Sequence, residues 1–222
     1  MATEDATKPL VLLVSLHHMP YFDEMYGPLL SELKSKATLH RVEEATSAIR
    51  LLSEEPPPLA ALVTDEALTT KQNARVWDAV LQYVRQGGTS IVMGTFSGFV
   101  KPNNIRPFFS KAGLQWEAGS YHRTTVILNE EAVGHDLAAY LPSKYSQKAL
   151  FVKNVAPTDA WYRTDEDSVV ESRVFVPASA NVAGETPVAI ARVEKGRLGY
   201  IGDVNAEQGS NAVILVLCGL LG

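Results

Sequence analysis

Residues 69–98 read TTKQNARVWDAVLQYVRQGGTSIVMGTFSG, and this stretch decides the fold class. Val76, Val80 and Val84 recur every fourth residue with Trp77 and Leu81 beside them, which predicts a helix with one apolar face. Thr69 and Gln72 have capping-box spacing, so the helix is expected to begin just after them, and Gly87 supplies a left-handed stop. Residues 89–94 (TSIVMG) follow as a buried strand of the kind that is covered on both faces. A helix feeding directly into such a strand is the unit of a parallel sheet with right-handed crossovers.

The same alternation extends toward the N-terminus. Residues 9–16 (PLVLLVSL) form an apolar run, and Met25, Leu29 and Leu33, with Tyr26 and Leu30, recur at helical spacing. Pro28 fits only a first helical turn or a kink. A short strand at 38–42 and a helix at 43–53 precede three prolines, Pro56 to Pro58, and then the strand 59–64 (LAALVT). The C-terminal half reads differently. Residues 120–129, 169–177, 187–193 and 198–202 are strand-like, the last two joined by a hairpin signal at 194–196. Residues 130–167, with Pro142, Pro157 and several aromatics, read as an irregular insertion along one sheet edge, and 211–221 as a buried closing helix. The expectation is one α/β domain over 9–222 behind a disordered tail at 1–8. Its core is a flavodoxin-like, open, mostly parallel sheet with helices on both faces, plus an antiparallel hairpin and the insertion.

Composition narrows the function classes. A chain of 222 residues buries roughly seven-tenths of its unfolded surface and needs no disulfide or metal staple. With 46% apolar and 20% charged residues it is an ordinary globular chain. A net charge of -5 argues against a nucleic-acid partner, which would call for an excess of Lys and Arg. Cys218 is the single cysteine, so no intrachain disulfide exists. The polar N-terminus lacks a secretory pattern, and the apolar runs at 10–16 and 212–221 are shorter than the ~20 residues a bilayer requires, so a cytoplasmic protein with no membrane partner is expected. No G-x-G-x-x-G or Walker pattern opens a helix, and no cofactor is expected.

The helix ending YVRQGG, the buried strand and the elbow Gly94-Thr95-Phe96-Ser97-Gly98 together resemble the class I glutamine amidotransferase-like superfamily, nearest its ThuA-like and other non-amidotransferase branches. The terminal stretch TPVAIARVEKGRLGYIGDVN is similar as well. In the amidotransferases the elbow is G-x-C-x-G, and the histidine and glutamate follow the last strand as H-x-E. Here Phe96 occupies the cysteine position, and Asp203-Val204-Asn205 occupies the H-x-E turn. A phenyl ring cannot attack a carbonyl, and a carboxylate near neutral pH is no imidazole. The resemblance thus implies the fold and a homodimer, without glutaminase activity.

Ligands of open α/β sheets bind beyond the carboxyl ends of the strands. That rule gathers His17 and His18 after the first strand, Asp65 after the third, Thr95, Phe96 and Ser97 after the fourth, and Asp203 after the hairpin. His17, His18, Asp65, Thr95 and Phe96 are the candidate small-molecule-binding residues, Phe96 as a packing plug or an aromatic floor. A catalytic alternative makes Ser97 a nucleophile, with His122 or His17 as base and Asp65 or Asp203 as orienter. The plain reading of Ser97 is a hydroxyl that caps the next segment. The pair His17–His18 invites a metal, but neighbours on an extended chain point opposite ways, so no metal is expected. Two functions therefore stand: a small-molecule-binding or interaction domain lacking the nucleophilic cysteine, or a serine-type hydrolase using Ser97.

Overall fold

The computed structural model describes residues 8–172, 174 and 178–221. Residues 1–7 of the tail expected at 1–8, and part of the strand expected at 169–177, therefore lie outside the described residues. In chain order the elements are β1 (Leu10–Val14), α1 (Phe22–Met25), α2 (Gly27–Lys36), β2 (Thr38–Val42), α3 (Ala45–Leu52), β3 (Ala60–Val63), α4 (Ala74–Arg85) and β4 (Thr89–Val92). They continue with α5 (Phe96–Phe99), α6 (Pro102–Ser110), β5 (Glu117–Leu128), α7 (Glu130–Val133), α8 (His135–Ala138), β6 (Lys144–Lys153) and β7 (Ala160–Arg163). The last are β8 (Glu185–Thr186), β9 (Val188–Val193), β10 (Gly196–Ile201) and α9 (Gln208–Leu217).

All ten strands among the described residues join one sheet in the order β2-β1-β3-β4-β10-β9-β7-β5-β6-β8. The first five are parallel and every later pairing is antiparallel. A mixed sheet thus replaces the mostly parallel one that was expected. The expected insertion at 130–167 is also corrected: it supplies α7, α8, β6 and β7, and β6 pairs with β5 along nearly its whole length. Its sequence, KYSQKALFVK, mixes polar and apolar residues because part of β6 is exposed while Gln147 and Ala149–Val152 are buried, so neither strand template fits it. Residues 169 and 179 form an isolated bridge in place of the start of the expected strand.

Local rules account for most element ends. Pro28 lies in the first turn of α2, where its missing N–H is no loss. The capping box at Thr69 does not form: Thr69 Oγ1 donates to the Glu66 carbonyl (2.8 Å) inside a 3-10 turn, and α4 begins later, at Ala74. Gly87 stops α4 at φ +123°, as expected.

The sheet is covered on both faces. One core joins the β1, β3 and β4 side chains Val11, Leu13, Leu62 and Ile91 to Leu29 and Leu33 of α2 and Ile214 of α9. The other joins Leu12, Val14 and Val63 to Leu51 of α3, Trp77 of α4 and Phe108 of α6. The Trp77 and Phe108 rings stack at 3.8 Å, and the indole N–H donates to the Phe108 carbonyl at 3.0 Å. In the parallel half the order turns back between β1 and β3, so their carboxyl ends flank the topological switch point, where open sheets of this kind bind ligands.

Candidate functional site

Two of the expected residues, His17 and Asp65, meet at the switch point. The buried Asp65 carboxylate accepts the His17 backbone N–H at 2.9 Å and the Ala67 N–H at 3.0 Å, which ties the loop after β1 to the turn after β3. Burial raises the Asp65 carboxyl above its ordinary value, and the two backbone donors only partly offset this. His17 points outward, its Nδ1 lying 2.8 Å from the Glu66 carboxylate, which raises the imidazole pKa. His18 turns elsewhere, with Nε2 3.4 Å from the Arg41 guanidinium and its ring edge-on to Phe22 at 6.0 Å. The two neighbouring histidines thus have different partners, as adjacent side chains do.

The turn after β4 has the strand–turn–helix form, with its left-handed residue at Gly94, φ +73°. A Cβ there would lie 2.6 Å from the Thr64 carbonyl oxygen and 2.9 Å from the Phe22 ring. Thr95 grips that same carbonyl twice, through its N–H (2.8 Å) and its hydroxyl (3.0 Å). Phe96 does not stand at the tip. Its side chain is 0% exposed and packs against Phe108 (5.4 Å) and Tyr200 (6.2 Å) in the core on the α4 side of the sheet. The ring lying on the turn is Phe22, carried by α1 from the other face.

Ser97 is also buried. Its hydroxyl donates to Tyr200 (3.1 Å), whose hydroxyl donates in turn to the Leu150 carbonyl (2.8 Å). His122 stacks on Phe151 in β5 and β6, ring centroids 4.7 Å apart, and its Nε2 is buried with no partner in the protein. Neither residue hydrogen-bonds to the other or to Asp203. Asp203, 2% exposed, accepts the Asn205 and Glu207 backbone N–H groups at 2.7 Å each and so shapes the turn into α9. Burial raises its carboxyl too. Cys218 sits buried after α9, its thiol pushed up to about 12.

Two groups at this edge escaped the sequence reading. Tyr26, counted there as part of an apolar stripe, stacks on Phe22 (4.6 Å) and is 2% exposed, yet its hydroxyl has no partner in the protein. Its ionisation is opposed by burial and by the charge of nearby Asp203. Arg41 of β2 lies over the Phe22 ring at 5.6 Å and pairs with Asp23, while its Nε stays buried and unpaired. Arg41 has no local sequence signature, because its partners Phe22 and Asp23 come from α1, about twenty residues earlier, and nothing local to Tyr26 records that Asp203 lies near it.

The His122 geometry sets a pH dependence. Burial lowers its pKa below 6.5, so between that lowered value and 6.5 the unfolded chain binds more protons than the folded one. Its contribution to stability is therefore complete above pH 6.5 and is lost as pH falls through the folded pKa. His122→Phe keeps the stacked ring and removes the orphan nitrogen, worth about 1 kcal/mol. Melting curves should show a gain of about 2–4 °C at pH 8 and a larger gain at pH 5. An equal gain at both pH values would refute the assignment.

The sequence matches no family model, and no curated protein matches it. Solved structures do. A ThuA-like protein from Bacteroides uniformis superimposes with a TM-score of 0.60 at 14% identity, over 98% of this chain and 93% of that one. A second ThuA-like protein, from Parabacteroides merdae, gives 0.54 at 12% identity, over 97% and 90%. A β-galactosidase from Bacillus circulans sp. alkalophilus gives 0.55 at 13% identity, with 96% of this chain covering 31% of that one. The fold is therefore that of ThuA-like proteins. Among the described residues, no helix is long and apolar enough to cross a membrane.

Proposed function

We propose that this chain is a flavodoxin-like, class I glutamine amidotransferase-like domain that binds a small polar molecule non-covalently at the carboxyl edge of its parallel strands. The supporting observation is the Tyr26 hydroxyl, a buried donor without a protein partner beside Asp203, under the Phe22 ring that lies on the Gly94 turn. A buried hydroxyl left unpaired costs roughly 1–3 kcal/mol, and a ligand acceptor that reaches it recovers that cost. Arg41 Nε is a second unsatisfied donor near Phe22, so the preferred ligand is rich in acceptors, such as a carboxylate or carbonyl compound. The ligand enters where His17 and His18 border the edge and displaces the four-residue α1 that carries Phe22. Left-handed Gly94, without a side chain, supplies no nucleophile there.

A thermal-shift screen of small carboxylates and carbonyl compounds tests this. A ligand held at a hundred times its Kd adds about 2.7 kcal/mol, which is a rise of about 5–10 °C at this chain length. Tyr26→Phe, which keeps the ring stack and removes only the hydroxyl, should abolish most of the rise. A rise of the same size in Tyr26→Phe, or labelling of Ser97 by a fluorophosphonate probe, would overturn the reading; the latter would favour a serine-type hydrolase.

A further inference from the structure

We propose a second binding site, at the amino end of the parallel strands, that takes a phosphate monoester with an apolar or aromatic body. The site is a cavity of about 350 Å³ beside the β9–β10 hairpin, floored by Trp161 and Ile190. Arg192, Lys195 and Arg197 line it together with a single carboxylate, Asp159. Because β10 begins here, level with the first residue of β4, the cavity lies at the amino end of the parallel strands, away from the turns after β1, β3 and β4.

The charge arrangement is the unusual feature. Arg192 and Arg197 are directly paired across the antiparallel ladder, so their side chains leave the same face of the sheet side by side. Like charges in that relation destabilise a sheet. The hairpin carries an acid that could relieve them, Glu194, but its carboxylate turns to Arg85 at 3.3 Å. Only the Glu194 carbonyl serves the pair, accepting from Arg192 Nε at 3.0 Å. Neither Lys195 nor Arg197 has an acidic side-chain partner among the described residues. In a chain of net charge -5, three cations face one concavity with one carboxylate among them.

Guanidinium forks match phosphate oxygens two at a time, and a phosphate monoester carries about -1.5 to -2 charges at neutral pH. That charge balances what the three cations and Asp159 leave. The indole and isoleucine floor gives the remainder of the ligand an apolar seat, and the volume suits a small molecule.

Isothermal titration of the full-length chain with phenyl phosphate tests the site, with inorganic phosphate and phenol as the two half-ligands. Phenyl phosphate should bind with a Kd below about 1 mM, and each half-ligand at least about tenfold more weakly. Arg197→Gln should weaken phenyl phosphate binding about tenfold while leaving the melting midpoint of the free protein unchanged or higher, because it relieves the like-charge pair. Lys195→Gln, at the exposed hairpin tip, gives the same readout if the strand variant does not fold. No binding at about ten times that concentration, inorganic phosphate binding as tightly as phenyl phosphate, or unaltered affinity in the variants would each overturn the proposal.

Discussion

Gly202→Ala is expected to abolish the folded state at physiological temperature, or to lower the melting midpoint by more than about 8 °C, which corresponds to a loss above about 4 kcal/mol. A Cβ at Gly202 would lie 2.0 Å from the Leu150 carbonyl oxygen and 3.2 Å from the Tyr200 ring. Neither can retreat cheaply. Gly202 accepts the Leu150 N–H at 3.0 Å and donates to the Pro187 carbonyl at 2.8 Å, so its own backbone is held on two sides. The Leu150 carbonyl is also the acceptor for Tyr200, the end of the relay that begins at Ser97. Pushing β6 away would thus break the contact between the antiparallel half and the end of β10, and release Asp203 from its bridge to Ala149. Circular dichroism melts of the variant would show whether this happens. A midpoint within 2 °C of the parent protein, roughly 1 kcal/mol, would mean that β6 can shift.

Gly94→Ser, the substitution that would place a hydroxyl at the left-handed position of the elbow, is expected to cost about 3 kcal/mol, or about 6–12 °C. The left-handed conformation alone costs a non-glycine residue about 1–2 kcal/mol. The remainder comes from the Thr64 carbonyl, fixed by two bonds from Thr95, and from the Phe22 ring, held by its stack on Tyr26 and by Arg41 over it. Gly98→Ala is the control: an added Cβ meets nothing within 4 Å, and the position is helical, so the midpoint should stay level or rise. Both glycines belong to the elbow pattern, yet only one is demanded by its surroundings. If both variants melted alike, the account of a turn closed by Phe22 would be wrong.

The resemblance puts Phe96 at the elbow, whereas the folded chain puts Phe22 there, and the difference has a physical source. In the sequence the central residue of Gly94-Thr95-Phe96-Ser97-Gly98 is Phe96, so the motif reads as an elbow with a benzyl group at its tip. The chain instead makes its left-handed bend at Gly94, directly after Met93, and by residue 96 it is already helical. Phe96 then faces the core of Phe108, Phe109 and Tyr200, where burying a phenyl group is favourable. Phe22, from a segment more than seventy residues away in sequence, lies on the bend. Ser97 follows the same logic: one residue past Phe96, its hydroxyl is oriented inward and Tyr200 becomes its partner.

What the sequence determined by itself is the set of features carried by local periodicity and turn chemistry. The apolar runs gave β1, β3 and β4, and the four-residue repeat of valines gave α4 with its stop at Gly87. The hairpin signal at 194–196 gave β9 and β10 as neighbours, and the edge rule brought His17 and Asp65 to one place. These depend on contacts between residues close in the chain, or on a general property of parallel sheets. The tertiary structure alone decided that β6 and β7 extend the sheet, which ring covers the elbow, and that Tyr26 and Arg41 keep unpaired donors inside it. Those outcomes depend on which distant strands end side by side. A half-buried strand or an orphan hydroxyl is made by its neighbours in space, and the local pattern carries no record of them.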